Sequence, residues 1–230
     1  MNKEGLKMFY DHNEDPASIF NYIKMGEFEV VWDLVEKNKI DVNFCDSVGN
    51  DVVTRLLKAK QYELVLTLMK KKNWDVNHQN EDGDTFGHIL AMDNSASAIA
   101  IIAQLMKKKN YLPNIKNKKG ETMFDKAINN NYIGAAIKIL GDKRFNDIDI
   151  KVFKKLCRAC LYNKYYGKYS KLNNLEIIVE SLGKKELIPD MQDLVEKINT
   201  HWDQIKDEIM SDDNNTLSVI INLYNGEATN

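Results

Sequence analysis

Asp41-Val42-Asn43 stands six residues before Gly49, Asp75-Val76-Asn77 six before Gly83, and Leu112-Pro113-Asn114 six before Gly120. The glycines lie 83 − 49 = 34 and 120 − 83 = 37 residues apart. A recurrence of that length marks a supersecondary unit that buries its apolar face on copies of itself. Two helical patterns lie between successive glycines. Val52, Val53, Leu56 and Leu57 recur at three- and four-residue steps. Lys60-Gln61 interrupts them, and Tyr62, Val65, Leu66, Leu68 and Met69 form a second stripe. Helices of about two to three turns are marginal alone in water and need neighbours to hold them. The predicted fold class is therefore all-α, built from helix pairs joined by short turns.

The local chemistry of the unit is also legible. Asp51, Thr85 and Thr122 each sit two after a recurring glycine and directly before a helical stripe. Their side chains are expected to cap the first helix of each pair. Gly49, Gly83 and Gly120 are expected to supply a tight turn just before that cap.

The stretch Asn80-Glu81-Asp82-Gly83-Asp84-Thr85-Phe86-Gly87-His88-Ile89-Leu90-Ala91 resembles the ankyrin pattern D-x-x-G-x-T-P-L-H-x-A-A. Gly26-Glu27-Phe28-Glu29-Val30-Val31, Leu34-Val35 and Asp41-Val42-Asn43 resemble its second half, as does Gln61 to Asn77. Asn117 to Thr122, Ala127-Ile128 and Ile139-Leu140 continue it. The resemblance implies an ankyrin-like helical repeat solenoid of about four repeats over residues 17–145. There are departures: Asp51 replaces the usual Thr, no unit keeps the Pro, and only His88 keeps the His. The resemblance implies that His88 hydrogen-bonds between turns and that each turn projects as a finger.

Outside the repeats the expected layout is an N-terminal extension over 1–16, a degenerate helix pair over 146–183, and a C-terminal capping helix and tail over 184–230. Val152, Phe153, Leu156, Cys157 and Cys160 form one stripe of the pair, and Leu175, Ile177-Ile178-Val179 and Leu182 the other. Tyr162 to Tyr169 is read as the loop between them. Pro189 is expected to open one helix running to residue 210, with Trp202, Ile205 and Ile209 on its apolar face.

Composition is 43% hydrophobic and 29% charged, which fits a globular chain rather than a disordered one. Net charge is −2 and selects no class of partner. No apolar run reaches the roughly 20 residues of a membrane span, and no signal core follows the N-terminus. The expected location is cytoplasmic or otherwise intracellular, including a host cell if the protein is a secreted or viral factor.

No catalytic pattern stands out. His12, His78, His88 and His201 are scattered, and none has a His or Cys at i+3 or i+4 to make a metal pair. Cys157 and Cys160 form a C-x-x-C, but they fall on an apolar stripe and read as small buried residues. No phosphate loop or nucleophile elbow occurs. The expectation is a non-enzyme with no cofactor and no metal.

Lys70-Lys71-Lys72 and Lys107-Lys108-Lys109 follow equivalent helices, with Lys37, Lys39 and Lys143-Arg144 in similar places. They complement helix dipoles, or else form a ridge for polyanions or nucleic acid. The preferred function is protein–protein binding by a monomeric adaptor or scaffold that displays turn tips and a concave helix face. The expected contact residues are Asp46, Val48, Glu81, Asp82, Lys118, Lys119, Tyr165 and Tyr166. The partner is another protein; a polyanion or nucleic-acid binder using the lysine ridge is the alternative, and no membrane is involved.

Overall fold

The computed structural model describes residues 15–37, 39–148, 150–162, 168–183, 192, 196 and 198–211. Among them the chain is all-α, with no strand beyond two isolated bridges, Cys45 to Asp51 and Gln79 to Thr85. The described residues fall into two compact units, one through Ile89 and one from Leu90 onward.

The first unit holds α1 (Ser18–Met25), α2 (Phe28–Glu36), α3 (Val52–Lys58), α4 (Tyr62–Leu68) and all but the last residue of α5 (Phe86–Leu90). α1 packs on α2, α3 on α4, and α1 on α3. The short helices are thus held by neighbours, as their length requires. Ile19, Val31, Val35, Val52, Leu56 and Val65 are fully buried. The two helices of each pair are separated by one left-handed residue, Gly26 (φ 80) and then Lys60 (φ 58). There the chain reverses: the Glu27 N–H reaches Tyr22 O at 2.9 Å and the Gln61 N–H reaches Leu56 O at 3.0 Å.

The second unit holds α6 (Ala96–Met106), α7 (Met123–Asn129), α8 (Ile133–Leu140), α9 (Ile150–Tyr162), α10 (Lys168–Gly183) and α11 (Trp202–Ser211). α7 pairs with α8 through a left-handed Asn131 (φ 60), and α8 packs on α6. α9 and α10 pair in turn, α9 lying also against α7 and α10 against α8. α11 covers α10. Phe124, Phe145, Phe153, Leu156, Leu175 and Leu182 fill the interior. Cys157 and Cys160 are free and fully buried there, and burial pushes the Cys160 thiol up to about 12 and Cys157 in the same direction.

The expected caps are present. Asp51 accepts the Thr54 N–H at 2.6 Å. Thr122 accepts the Asp125 N–H at 3.2 Å, while Asp125 accepts the Thr122 N–H at 2.7 Å, a reciprocal capping box. Thr85 Oγ1 accepts the His88 N–H at 3.4 Å. Ser95 caps α6 through the Ala98 N–H, so the extra residues of this interval open a longer helix.

Two expectations are corrected. The continuous helix over 189–210 is interrupted: the backbone turns at His201 and α11 begins at Trp202. Thr200 Oγ1 donates to the Glu196 carbonyl at 2.9 Å, a local bond that competes with helix continuation. Of the loop expected over 162–169, Tyr162 belongs to α9 and Lys168 and Tyr169 belong to α10, while residues 163–167 lie outside the described residues. Pro189 lies outside the described residues.

Candidate functional site

The three recurring turns share one bonding scheme. Each is anchored by a residue three before the glycine: Asp46, Asn80 and Asn117. The anchor's N–H reaches the carbonyl four residues on, Asn50 at 3.0 Å, Asp84 at 3.0 Å and Glu121 at 2.9 Å. The glycine N–H returns to the anchor's carbonyl at 3.0, 2.8 and 2.9 Å for Gly49, Gly83 and Gly120. The anchor's side-chain oxygen accepts two further N–H groups. For Asp46 these are Val48 at 3.0 Å and Asn50 at 2.8 Å. For Asn80 they are Asp82 at 3.0 Å and Asp84 at 2.9 Å. For Asn117 they are Lys119 and Glu121, both at 2.9 Å. The glycines take φ of 76, 75 and 76.

Each turn therefore satisfies its own backbone and leaves two side chains facing outward. Those pairs are Ser47-Val48, Glu81-Asp82 and Lys118-Lys119, all exposed. Asp46 is not among them. Its carboxylate is consumed by the turn and by Arg55, whose Nε lies 3.3 Å from Oδ2. The signal that separates anchor from tip was present in the sequence: an Asx residue three before each glycine, the familiar side-chain mimic of a turn. Tyr165 and Tyr166 lie outside the described residues.

Within the first unit adjacent turns touch. The Glu81 N–H donates to Val48 O at 3.1 Å, and Asn80 Nδ2 donates to Asn50 Oδ1 at 3.1 Å. A Cβ on Gly49 would stand 3.1 Å from Glu81 N and 3.2 Å from Asn80 Cα, so this glycine is required by contact as well as by φ. The Asn of the recurring triplet joins consecutive loops. Asn43 accepts the Asp75 N–H at 2.8 Å and donates to Asn73 O at 2.7 Å. In the second unit Asn114 accepts the Asn146 N–H at 3.1 Å and donates to Arg144 O at 2.9 Å.

The basic runs divide into spent and unspent cations. Lys71 Nζ donates to Val35 O, 2.8 Å away at the end of α2. Arg144 donates to Met106 O at 2.6 Å, Lys108 O at 2.7 Å and Tyr111 O at 3.0 Å, and Asp142 holds it at 2.6 Å. Both residues close the carbonyl end of an earlier helix, not that of their own helix. Lys70, Lys72, Lys107, Lys109 and Lys143 remain exposed.

One pairing was invisible in the sequence. Cys45 Sγ lies 3.3 Å from His78 Nε2, across 33 residues. His78 Nε2 is also 2.8 Å from Gly49 O, a pure acceptor, so that nitrogen carries the proton. The Cys45 thiol donates to Asn43 O at 3.2 Å. Burial, then the Asp51 and Asp46 charges, hold the thiol above its usual range. His78 Nε2 is thus no base toward the thiol, and the pair ties the turn to the next loop. His88 is buried with Nδ1 accepting the Thr85 N–H at 3.1 Å. Among the described residues no group of three or more His, Cys, Asp or Glu side chains could hold a metal, and no helix is long and apolar enough to cross a membrane.

No protein-family model matches the chain, and no curated protein matches it.

Proposed function

We propose that this chain is a non-catalytic, ankyrin-like interaction module that binds a protein partner through its turn tips. One observation carries the proposal: three turns of the same construction hold their backbones internally and leave Val48, Glu81, Asp82, Lys118 and Lys119 outward. Pre-formed turns lose little backbone freedom on binding, which is what a recognition edge needs. Val48 is 47% exposed at the first tip, an apolar contact point beside polar ones. The tips are acidic at Glu81-Asp82 in the first unit and basic at Lys118-Lys119 in the second, so each presents its own charge to a partner. Loop-to-loop bonds from Asn43 and Asn114, and the pairing of α9–α10 against α7–α8, support stacked repeats as the underlying architecture.

The test is affinity capture from the native cell with the full chain and with a variant carrying Val48→Ala, Glu81→Ala, Asp82→Ala and Lys118→Ala. The expected result is a partner retained by the wild type and lost from the variant, with both proteins equally stable to heat. Undiminished capture by the variant would refute the tips as the contact edge.

A further inference from the structure

Charge between residues 93 and 147 of the second unit is sorted by use. Residues 94–120 contain six lysines and no Asp or Glu. The carboxylates on either side are engaged inside the fold. Asp93 accepts the Ser95 N–H at 2.9 Å. Glu121 accepts from Asn117 at 3.2 Å and Asn129 at 2.8 Å. Asp125 closes the capping box, Asp142 holds Arg144, and Asp147 pairs with Lys116 at 2.7 Å. All five are at least partly buried.

Three of the lysines beside them are not used in this way. Lys107, Lys109 and Lys143 are exposed. Arg144 brings them to one edge, because its guanidinium grips the carbonyls of Met106, Lys108 and, at 3.5 Å, Lys109. The segment bearing Lys143 is thereby fastened to the segment bearing Lys107 and Lys109. Arg144 is neutralised by Asp142, whereas its three neighbours face water with no carboxylate exposed between Asp93 and Asp147. Like charges gathered on one edge repel one another, and an oppositely charged partner relieves that repulsion.

We propose that the edge formed by Lys107, Lys109 and Lys143 is a docking strip for an acidic polypeptide segment. Nucleic acid fits less well. Single-strand binders interleave their cations with aromatic stacking platforms, and here Tyr111 and Phe145 are buried. The strip shares no residue with the turn tips and is tested without them.

The experiment measures fluorescence anisotropy of a short labelled oligoglutamate against the full chain. Binding is expected at low salt and is expected to weaken steeply as salt rises, since exposed charges are screened within about 10 Å at 0.1 M. Lys107→Glu, Lys109→Glu and Lys143→Glu together are expected to weaken it by at least about tenfold, three screened contacts each being worth a few-fold. A matched control, Lys39→Glu, Lys70→Glu and Lys72→Glu in the first unit, is expected to leave affinity within about twofold by the same arithmetic. If charge reversal disturbs folding, the Lys→Gln version of both triplets replaces it. No binding by the wild type at low salt, an equal loss in both triplets, or tighter binding of a single-stranded RNA of equal charge would each overturn the proposal.

Discussion

The indole of Trp74 donates its Nε1 proton to Asp51 Oδ2 at 2.8 Å, across 23 residues, in a fully enclosed setting. This bond explains why Asp stands where the resembling pattern has Thr. A hydroxyl would cap α3, but only a carboxylate has a second oxygen for the indole. Asp51 uses Oδ1 for the Thr54 N–H and Oδ2 for Trp74. Trp74 also sets its ring edge-on to Phe86, with centroids 5.1 Å apart.

The two residues are expected to behave as a coupled pair. Trp74→Phe leaves Oδ2 buried and unpaired, and Asp51→Thr strands the indole N–H; each is expected to cost about 1–3 kcal/mol. The double variant is expected to lose less than the sum, with a coupling of about 1 kcal/mol or more in a denaturant double-mutant cycle. Strict additivity would show that the bond carries no weight.

Asp51 also gives a signed pH dependence. Burial raises its pKa above the ordinary 3.8, against the lowering effect of the Thr54 and Trp74 bonds. In the window between 3.8 and the raised folded value the folded state holds more protons than the unfolded one. The Asp51 contribution to stability therefore grows as pH falls through that window and is constant above it. Trp74→Phe removes a lowering bond, widens the window, and is expected to destabilise more at neutral pH than near pH 4. Thermal melts of both proteins across that range check the sign.

Arg144 and Lys71 test the long-range caps. Arg144→Met abandons the carbonyls of Met106, Lys108, Lys109 and Tyr111 and leaves Asp142, whose side chain is 6% exposed, without its cation. With the guanidinium itself partly in water, a loss of about 2–3 kcal/mol is expected. Lys71→Met gives up the carbonyl bond to Val35 and is expected to cost about 1 kcal/mol. Equal effects in urea titrations would contradict this ranking.

Backbone geometry separates three further variants. Gly120→Ala meets nothing within 4 Å and bears only the positive-φ penalty, about 1 kcal/mol. Gly49→Ala adds a clash with the backbone of Asn80 and Glu81, and is expected to cost about 1–2 kcal/mol more. Lys60→Gly relieves a left-handed lysine and is expected to stabilise by up to about 1 kcal/mol. Calorimetric midpoints are expected to fall from Lys60→Gly through Gly120→Ala to Gly49→Ala.

The part of the fold that can be read along the chain is the part that local chemistry governs. The helix pairs of the first four intervals, the caps at Asp51, Thr85 and Thr122, and the left-handed turns at Gly49, Gly83 and Gly120 each depend on residues within a few positions of one another. The role of Asp46 as anchor belongs to that local class too, since its bonds reach only to Asn50 and Arg55 on its own stretch of chain. Tertiary structure alone decided which partner each long side chain meets. Arg144 reaches a carbonyl 38 residues back, Lys71 one 36 residues back, and Cys45 meets His78 across 33. Hydrophobic period records which face of a helix is buried, but not which neighbour's carbonyl end lies within a side chain's reach. That depends on how the helices pack, and packing is what divided a run of similar lysines into helix caps and exposed charges.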